Sequence, residues 1–303
     1  MRRIALAALL VVLAASASPA LAQRASSAAA LDGSDVGADF DNDGVADLAI
    51  GVPGENALAG AVNVLYGTGS GLSGAGGQLF TQVGGAVEPG DAFGAALAAG
   101  DFDNDDFADL AAGAPFEAIG SLRGAGAVSV LYGSTGGLTT TGGQLFTQVA
   151  GTVEAGDLFG SALASGDFDN DGLADLAAGA PGEAVGSLFS AGAVSVLYGA
   201  TGGLTSLGGQ LFTQVGGTVE AQDRFGSQLA TGDFNDNNVA DLAAAAPTES
   251  VGSVFSAGAV SVLYGAGAGL TTNGGQLFTQ NSPGVPGLAE ELDRFGGLAL
   301  VAG

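Results

Sequence analysis

An internal repeat constrains this chain more than any other feature of its sequence. One ten-residue phrase occurs four times, as DFDNDGVADL, DFDNDDFADL, DFDNDGLADL and DFNDNNVADL. The copies start at Asp39, Asp101, Asp167 and Asp233, with offsets of 62, 66 and 66 residues. Phe-Gly pairs and the segments GQLFTQ and LYG recur in step with the phrase. This periodicity predicts an array of similar supersecondary units.

Each repeat contains four short apolar or alternating segments bounded by Gly, Pro, Asp or Ser. In the third copy they are FGSALASGDF, LADLAAGAP, AGAVSVLYG and GQLFTQV. Their length is typical of strands, and the flanking glycines leave too little chain for a persistent helix. The predicted fold class is therefore all-β, a β-propeller-type array of about four four-stranded blades. Such an array is a partial or small propeller.

The composition excludes several kinds of active site. The chain has no His and no Cys, and its six basic residues are all Arg. Ser–His and Cys–His nucleophile pairs, His/Cys zinc sites and lysine Schiff bases therefore cannot form. The 31 acidic residues and the net charge of −25 would repel phosphate, so we expect no nucleic-acid partner.

A second set of acidic residues recurs shortly before each Phe-Gly pair. A glycosidase needs one pair of carboxylates at one site, whereas these residues occur in equivalent copies. We therefore predict that they cap turns and carry surface charge, and that the chain is not an enzyme. The set comprises Glu88, Asp91, Glu154, Asp157, Glu220, Asp223 and Asp293.

The N-terminus has the pattern of a secretory signal peptide. Two arginines precede an apolar stretch over 4–15, and an Ala-Leu-Ala site ends at Ala22. We expect cleavage before Gln23, no later membrane span, and a location that is secreted, extracellular or in the cell envelope. The predicted divisions are a signal peptide over 1–22, a linker over 23–38, and a repeat domain over 39–303, with repeats near 39–92, 93–158, 159–224 and 225–294 and a final strand over 295–303.

The order of these motifs resembles the FG-GAP repeat of integrin alpha-subunit propellers, which also occurs in bacterial secreted proteins and some secreted phospholipases. Gly-Ala-Pro stands at 113–115 and 179–181, while the first copy has Gly-Val-Pro at 51–53 and the fourth Ala-Ala-Pro at 245–247. The resemblance covers nearly all of 39–303. It implies a propeller, usually of seven blades, that binds calcium and often serves adhesion or recognition.

The repeated phrase also has the residue pattern of a metal-binding loop. In D-x-D-x-D-G-x-x-D, carboxylates at positions 1, 3, 5 and 9 and the position-7 carbonyl provide the oxygens that Ca²⁺ requires. Position 6 holds Gly, Asp, Gly and Asn, which tolerate a left-handed backbone. The alternative is a set of solvated Asp-rich turns. The predicted ligands are Asp39, Asp41, Asp43, Val45 and Asp47; Asp101, Asp103, Asp105, Phe107 and Asp109; Asp167, Asp169, Asp171, Leu173 and Asp175; and Asp233, Asn235, Asn237, Val239 and Asp241.

Two features qualify this prediction. An EF-hand needs a bidentate Glu at position 12, where this chain has Ile50, Ala112, Ala178 and Ala244, so that reading fails. The fourth loop has two amides in place of two carboxylates and should bind calcium least well.

The sequence thus predicts a secreted, calcium-binding, non-catalytic scaffold for adhesion or recognition of an extracellular protein or glycan. The alternatives are a structural protein of the cell envelope and an accessory domain of a secreted carboxylate-dependent hydrolase. The segment that begins at Phe295 resembles the first strand of a blade, and pairing it beside 46–53 would close the array into a ring. The other arrangement is an open arc that associates with a second copy.

Overall fold

A computed structural model describes residues 38–298, 300 and 301. The predicted signal peptide and all of the linker before Ala38 lie outside these residues. Across the described part there are fifteen strands and one short helical turn. The turn, α1 (Glu55–Leu58), is left-handed at Asn56 and Ala57, with φ of 48° and 60°. Nowhere in the described ranges does a helix reach the length and apolarity needed to cross a membrane.

The strands form four antiparallel sheets, one for each repeat, which confirms the predicted fold class. Over the described residues the first sheet has three strands and the others have four, each in sequential order. The strands are β1 (Leu48–Gly51), β2 (Val62–Tyr66) and β3 (Ser73–Phe80); β4 (Leu97–Gly100), β5 (Asp109–Ala114), β6 (Ala127–Tyr132) and β7 (Thr139–Phe146); β8 (Leu163–Gly166), β9 (Asp175–Ala180), β10 (Ala193–Tyr198) and β11 (Thr205–Phe212); and β12 (Leu229–Gly232), β13 (Asp241–Ala246), β14 (Ala259–Tyr264) and β15 (Thr271–Phe278).

The strand boundaries differ from the sequence prediction at both ends of a blade. The innermost strand is shorter, because the glycine of each Phe-Gly pair has a positive φ, 84° at Gly160, and the strand begins three residues later. The outermost strand is displaced toward the N-terminus: it covers 205–212 where 209–215 was predicted, because Tyr198 pairs with Thr205 across a short turn and pairing ends at Phe212.

The two edges of the array carry different kinds of loop. The acidic phrase connects the first and second strands of a blade, so the second strand starts at that edge, at Asp109 in β5. We call this the acidic edge, formed by 39–47, 101–109, 167–175 and 233–241. The second strand ends at the opposite edge, which we call the loop edge and define by 115–126, 181–192 and 247–258.

The Phe-Gly and Gly-Ala-Pro motifs recur because they meet in the fold. The Gly160 amide donates to the Gly179 carbonyl at 2.9 Å, within one blade. A side chain on Gly113 would collide with the carbonyl of Gly160 in the next blade, so this position requires glycine between neighbouring blades. The fourth copy has Ala245 there, and in the described residues no further blade packs as closely against it.

Neighbouring sheets bury their apolar faces against one another. The innermost strands β4, β8 and β12 pack side by side, and all six residues of β5, β9 and β13 are buried. The phenylalanines after the first loop aspartate and those of the Phe-Gly pairs fill the spaces between sheets, as the sequence predicted. The fully buried members are Phe40, Phe102, Phe168, Phe93, Phe159 and Phe225.

A Tyr–Gln clasp also joins each sheet to the next. Tyr66 Oη donates to Gln78 Oε1, Gln78 Nε2 donates to the Leu138 carbonyl at 3.1 Å, and the Leu138 amide donates to Tyr66 Oη at 2.9 Å. Gln144 and Gln210 make the same 3.1 Å bond to the next sheet. The clasp fixes the position of one sheet on the next with one small hydrogen-bond network.

The second set of acidic residues caps turns, as expected, but three of its aspartates are buried rather than on the surface. Asp91 accepts a hydrogen bond from the Glu88 amide at 2.7 Å and is 3% exposed. It lies beside Glu117 of the following blade, a buried residue near the Gln82 amide. This cluster repeats between the next blades as Gln148, Asp157 and Glu183, and as Gln214, Asp223 and Glu249.

The closing strand expected over 295–303 is not formed in the described residues. Residues 295–298 form turns, and Leu300 packs against the outer face of the fourth sheet. The Phe295 amide donates to the Ala257 carbonyl at 2.8 Å, as the Phe225 amide does to Ala191 at 2.9 Å. The chain therefore continues in the direction of a next blade, and the array described here is an open arc.

The buried glutamates predict that the metal-free chain is more stable in acid. Burial raises the pKa of Glu117, Glu183 and Glu249 to about 7, and neighbouring carboxylates add to the rise. The folded chain keeps these protons while the unfolded chain releases them near pH 4.3. In chelator, each glutamate should therefore lower the free energy of unfolding by up to about 1.4 kcal/mol per pH unit until pH reaches about 7.

Urea unfolding between about pH 5 and about pH 8 measures this slope. Glu183→Gln should flatten it, whereas Glu291→Gln, at an exposed position, should not. An unchanged slope in Glu183→Gln would contradict the assignment.

Candidate metal centres

Three of the four acidic loops bring carboxylates together. In each, one carboxylate oxygen from each of three aspartates lies within 4.8 Å of the other two. Over the described residues these groups leave out the position-9 aspartate of the first loop, Asp47, and the position-5 aspartates Asp105 and Asp171 of the other two. The three groups are Asp39, Asp41 and Asp43; Asp101, Asp103 and Asp109; and Asp167, Asp169 and Asp175.

The loop backbone wraps around its first aspartate. Asp39 accepts hydrogen bonds from the amides of Asp43 and Gly44 at 3.1 and 2.8 Å, and Asp43 accepts one from the Val45 amide at 2.8 Å. Position 6 has a left-handed φ in every loop, 84° at Gly44, which confirms the prediction. Position 4 is also left-handed, 54° at Asn42, and the repeated Asn-Asp pattern was its signal in the sequence.

The aspartate at position 9 has a structural role that the sequence did not reveal. The two oxygens of Asp175 accept hydrogen bonds from the Phe168 and Gly199 amides, both at 2.8 Å. One amide belongs to the acidic loop and the other to the turn after β10, so Asp175 joins the acidic loop to that turn. The same two bonds recur at Asp47, Asp109 and Asp241.

Burial makes these carboxylates costly to ionise in the absence of a cation. Burial raises the pKa of Asp109 and of Asp175 to about 8, even though two backbone donors on each oppose the shift. For Asp103, burial together with the charges of Asp105 and Asp101 raises the pKa to about 6. A divalent cation bound here would keep the carboxylates ionised and would cross-link the loop to the second strand.

The donor chemistry of the first three loops fits a hard divalent cation. All of the converging atoms are carboxylate oxygens, the donors that Ca²⁺ and Mg²⁺ prefer. In the second loop Asp103 Oδ1 is buried and has no hydrogen-bond partner in the part of the chain that is described. A buried anionic oxygen without a donor is destabilising, and a cation would supply the missing interaction.

The fourth loop differs because amides replace two of the carboxylates. Asn235 Nδ2 donates to Asp241 Oδ1 at 3.3 Å, and Asn237 Nδ2 donates to the Gly265 carbonyl at 3.2 Å. These two amide groups therefore hold the fourth loop to Asp241 and to the turn after β14 through hydrogen bonds of their own. Asp233 at position 1 is exposed, whereas its counterpart Asp167 is buried. The fourth loop therefore fits a cation less well than the others.

These sheets, each with an acidic hairpin loop, define a β-propeller-type protein of the FG-GAP class. The family model for the FG-GAP repeat matches four times, and together the matches cover more than half of the chain. The chain therefore belongs to the FG-GAP repeat family. The matched residues are 33–71, 93–131, 159–197 and 225–263.

The curated relatives are much longer proteins. The chain is 38% identical over 113 residues to the phosphatidylinositol-glycan-specific phospholipase D of Rattus norvegicus, which covers 36% of this chain and 13% of the relative. Integrin alpha-5 of Xenopus laevis is 32% identical over 217 residues, 67% of this chain and 18% of the relative. Integrin alpha-E of Mus musculus is 42% identical over 98 residues, which is 31% of this chain and 8% of the relative. The chain thus spans less than a fifth of each of these relatives.

Calcium titration should distinguish the loops. We expect comparable affinities in the first three loops and a weaker or undetectable fourth site. At tenfold excess of calcium over the dissociation constant, each filled site should stabilise the fold by about 1.4 kcal/mol. Asn235→Asp should strengthen the fourth site by restoring a carboxylate at position 3, a position that belongs to all three converging groups. Isothermal titration of four sites with equal affinity, or identical melting curves in chelator and in calcium, would contradict this expectation.

Two substitutions in the third loop should separate metal binding from structure. Asp169→Ala should weaken calcium binding while leaving the chelated protein nearly as stable, because its side chain is only partly buried and accepts one long backbone hydrogen bond, from the Asp171 amide at 3.2 Å. Asp175→Ala should destabilise even the chelated protein, by about 2 to 4 kcal/mol, because the Phe168 and Gly199 amides lose their acceptor. Urea unfolding in chelator measures both effects. Equal losses in the two variants would show that position 9 has no separate structural role.

Proposed function

We propose that this chain is a secreted, calcium-binding scaffold that recognises an extracellular protein or glycan through its loop edge and has no catalytic activity of its own. The observation that carries the proposal is the separation of two edges. Converging carboxylates that suit a cation lie at the acidic edge, and exposed aromatic side chains lie at the opposite, loop edge.

Calcium in this proposal is structural. Asp39, Asp101 and Asp167 each begin a loop whose backbone donates several hydrogen bonds to that first carboxylate. A cation among the converging carboxylates would hold the loop against the second strand of the blade. The three ion sites would thereby stiffen the strands that support the loop edge, without taking part in a reaction.

The loop edge has the chemistry of a recognition surface. Phe116, Phe189 and Phe255 are 53%, 59% and 61% exposed. They lie in the corresponding loops of three successive blades. Exposed aromatic side chains on loops held by a rigid scaffold are typical of binding sites. Beside the first of them, Arg123 and Leu158 help to line an open groove of about 780 Å³. Aromatic and arginine side chains are the residues that contribute most to protein interfaces.

The relatives support recognition as the general role. The integrin alpha subunits share these repeats over up to 67% of the chain. The phospholipase D match leaves a second candidate, in which the repeats accompany a hydrolase. We favour the scaffold, because the acidic clusters recur equivalently in three blades and therefore do not define one catalytic site.

A binding screen on immobilised protein tests the proposal. Extracellular matrix proteins and a glycan array would be probed in millimolar calcium and in chelator. The double variant Phe189→Ser/Phe255→Ser should lose at least about tenfold in affinity for any ligand found, with an unchanged melting temperature. Calcium removal should weaken the same interaction.

The matched control is Leu207→Ser, which changes an exposed apolar side chain on β11 outside the loop edge. Ligand binding that survives the double variant but not the control variant would place recognition elsewhere on the array. Binding unaffected by chelator would remove calcium from the proposed function.

A further inference from the structure

The outer face of the fourth sheet carries residues that are buried against a following sheet elsewhere in the array. Phe40, Phe102 and Phe168 are fully buried, but the equivalent Phe234 is 44% exposed. Phe234 and Val262 line an open cavity of about 390 Å³ on this face. Leu300 covers part of it. Within 38–298, 300 and 301, no further sheet packs there.

The outer face of the first sheet corresponds to the other side of this sheet–sheet interface, the side that each later sheet packs against its preceding sheet. Leu138 is 2% exposed because the preceding sheet covers it, whereas its counterpart Leu72 is 51% exposed. Leu48 in β1 and Leu65 in β2 are only partly buried, although their counterparts in the three following sheets are fully buried. This face therefore presents the apolar side chains that a preceding sheet would cover.

The Tyr–Gln clasp is also incomplete at the two ends of the arc. Tyr264 donates to Gln276 Oε1 at 2.7 Å. In the described part of the chain, no leucine carbonyl of a following sheet accepts a hydrogen bond from Gln276 Nε2. In the preceding clasp Gln210 Nε2 donates to the Leu270 carbonyl at 3.1 Å. The residue of the first sheet that corresponds to Leu270 is Leu72, which has an exposed side chain.

The buried cluster of one Gln, one Asp and one Glu that lies between neighbouring blades is divided between the two ends in the same way. Gln280 and Asp293 occupy the places of Gln214 and Asp223, but Asp293 is exposed whereas Asp223 is 2% exposed. The glutamate that would complete their cluster belongs to a following blade. Its counterpart on the first sheet, Glu55, is exposed. Each end of the arc thus holds the part of the cluster that the other end needs.

We propose that two copies of this chain associate head to tail, with the outer face of the fourth sheet of one copy packed on the outer face of the first sheet of the other. The contact would repeat the interface found three times within the chain, with the three described strands of the first sheet on one side of it. It would bury Phe234, let Gln276 reach the backbone at Leu72, and place Glu55 beside Gln280 and Asp293. Two copies that make this contact reciprocally form a closed assembly.

A second copy is the occupant that these surfaces specify. The internal interfaces also use main-chain bonds, in which the Ala108 and Ala174 amides donate to the Asp39 and Asp101 carbonyls at 3.1 and 3.0 Å. Another copy presents the same backbone in the same register to the Asp233 loop. The net charge of −25 opposes association, and cations at the acidic edge would reduce that repulsion.

Sedimentation velocity on the full chain tests the proposal, in millimolar calcium and physiological salt from about 1 to about 100 μM. The unaltered chain should form dimers or larger species. Leu72→Asp blocks the first-sheet face and Phe234→Ser blocks the fourth-sheet face. Each variant alone should raise the dissociation constant about 10- to 100-fold, the factor expected for exposing one buried apolar side chain. Both sites are half exposed, so the melting temperature should change little.

Mixing the two variants gives the sharper result. Leu72→Asp keeps an intact fourth-sheet face and Phe234→Ser keeps an intact first-sheet face, so the mixture should form a one-to-one heterodimer through one unaltered contact. Leu207→Asp, on an exposed residue away from both faces, should associate like the unaltered chain. A chain that stays monomeric across the range, a dissociation constant that is unchanged in both variants, or a mixture that stays monomeric would each overturn the proposal.

Discussion

Every sheet in this array is apolar on both faces, and the rest of the structure depends on covering both. Strands such as β5 and β9 consist largely of Ala and Gly, with all six residues buried. Small side chains allow neighbouring backbones to approach closely, as at Gly113 against Gly160. Burial of apolar surface provides the stabilisation, and the chain has no disulfide to add to it. The same requirement leaves the two end faces of the arc as interaction surfaces.

The polar groups at these interfaces position the sheets rather than drive their association. The clasp of Tyr66, Gln78 and Leu138 has specific donor and acceptor geometry, so one relative position of two sheets satisfies it. Glu117 lies in the same kind of interface, where burial favours its protonated form. A neutral carboxyl costs less to bury than a carboxylate. Packing energy and polar specificity therefore come from different residues of one interface.

The acidic edge combines a permanent anchor with a site that suits a cation. Asp175 accepts hydrogen bonds from two backbone amides, while the buried Asp167 and the partly buried Asp169 converge with it to form the candidate cation site. The fourth loop shows how the same backbone is held without that charge, because Asn235 and Asn237 donate hydrogen bonds of their own. One loop geometry thus serves two electrostatic arrangements within a single chain.

The sequence by itself determined the repeat, the four strands of a blade, the left-handed position 6 and the grouping of acidic residues, because each depends on local spacing and on the conformational range of Gly, Asn and Asp. It did not show that Asp175 anchors two segments, that Asp91 and Glu117 share a buried cluster, or that Phe234 is exposed where Phe168 is buried. Those facts depend on which residues of neighbouring blades meet. Residues that are equivalent in the sequence therefore differ in the fold, since over 38–298, 300 and 301 an inner sheet packs between two neighbours and an end sheet packs against one.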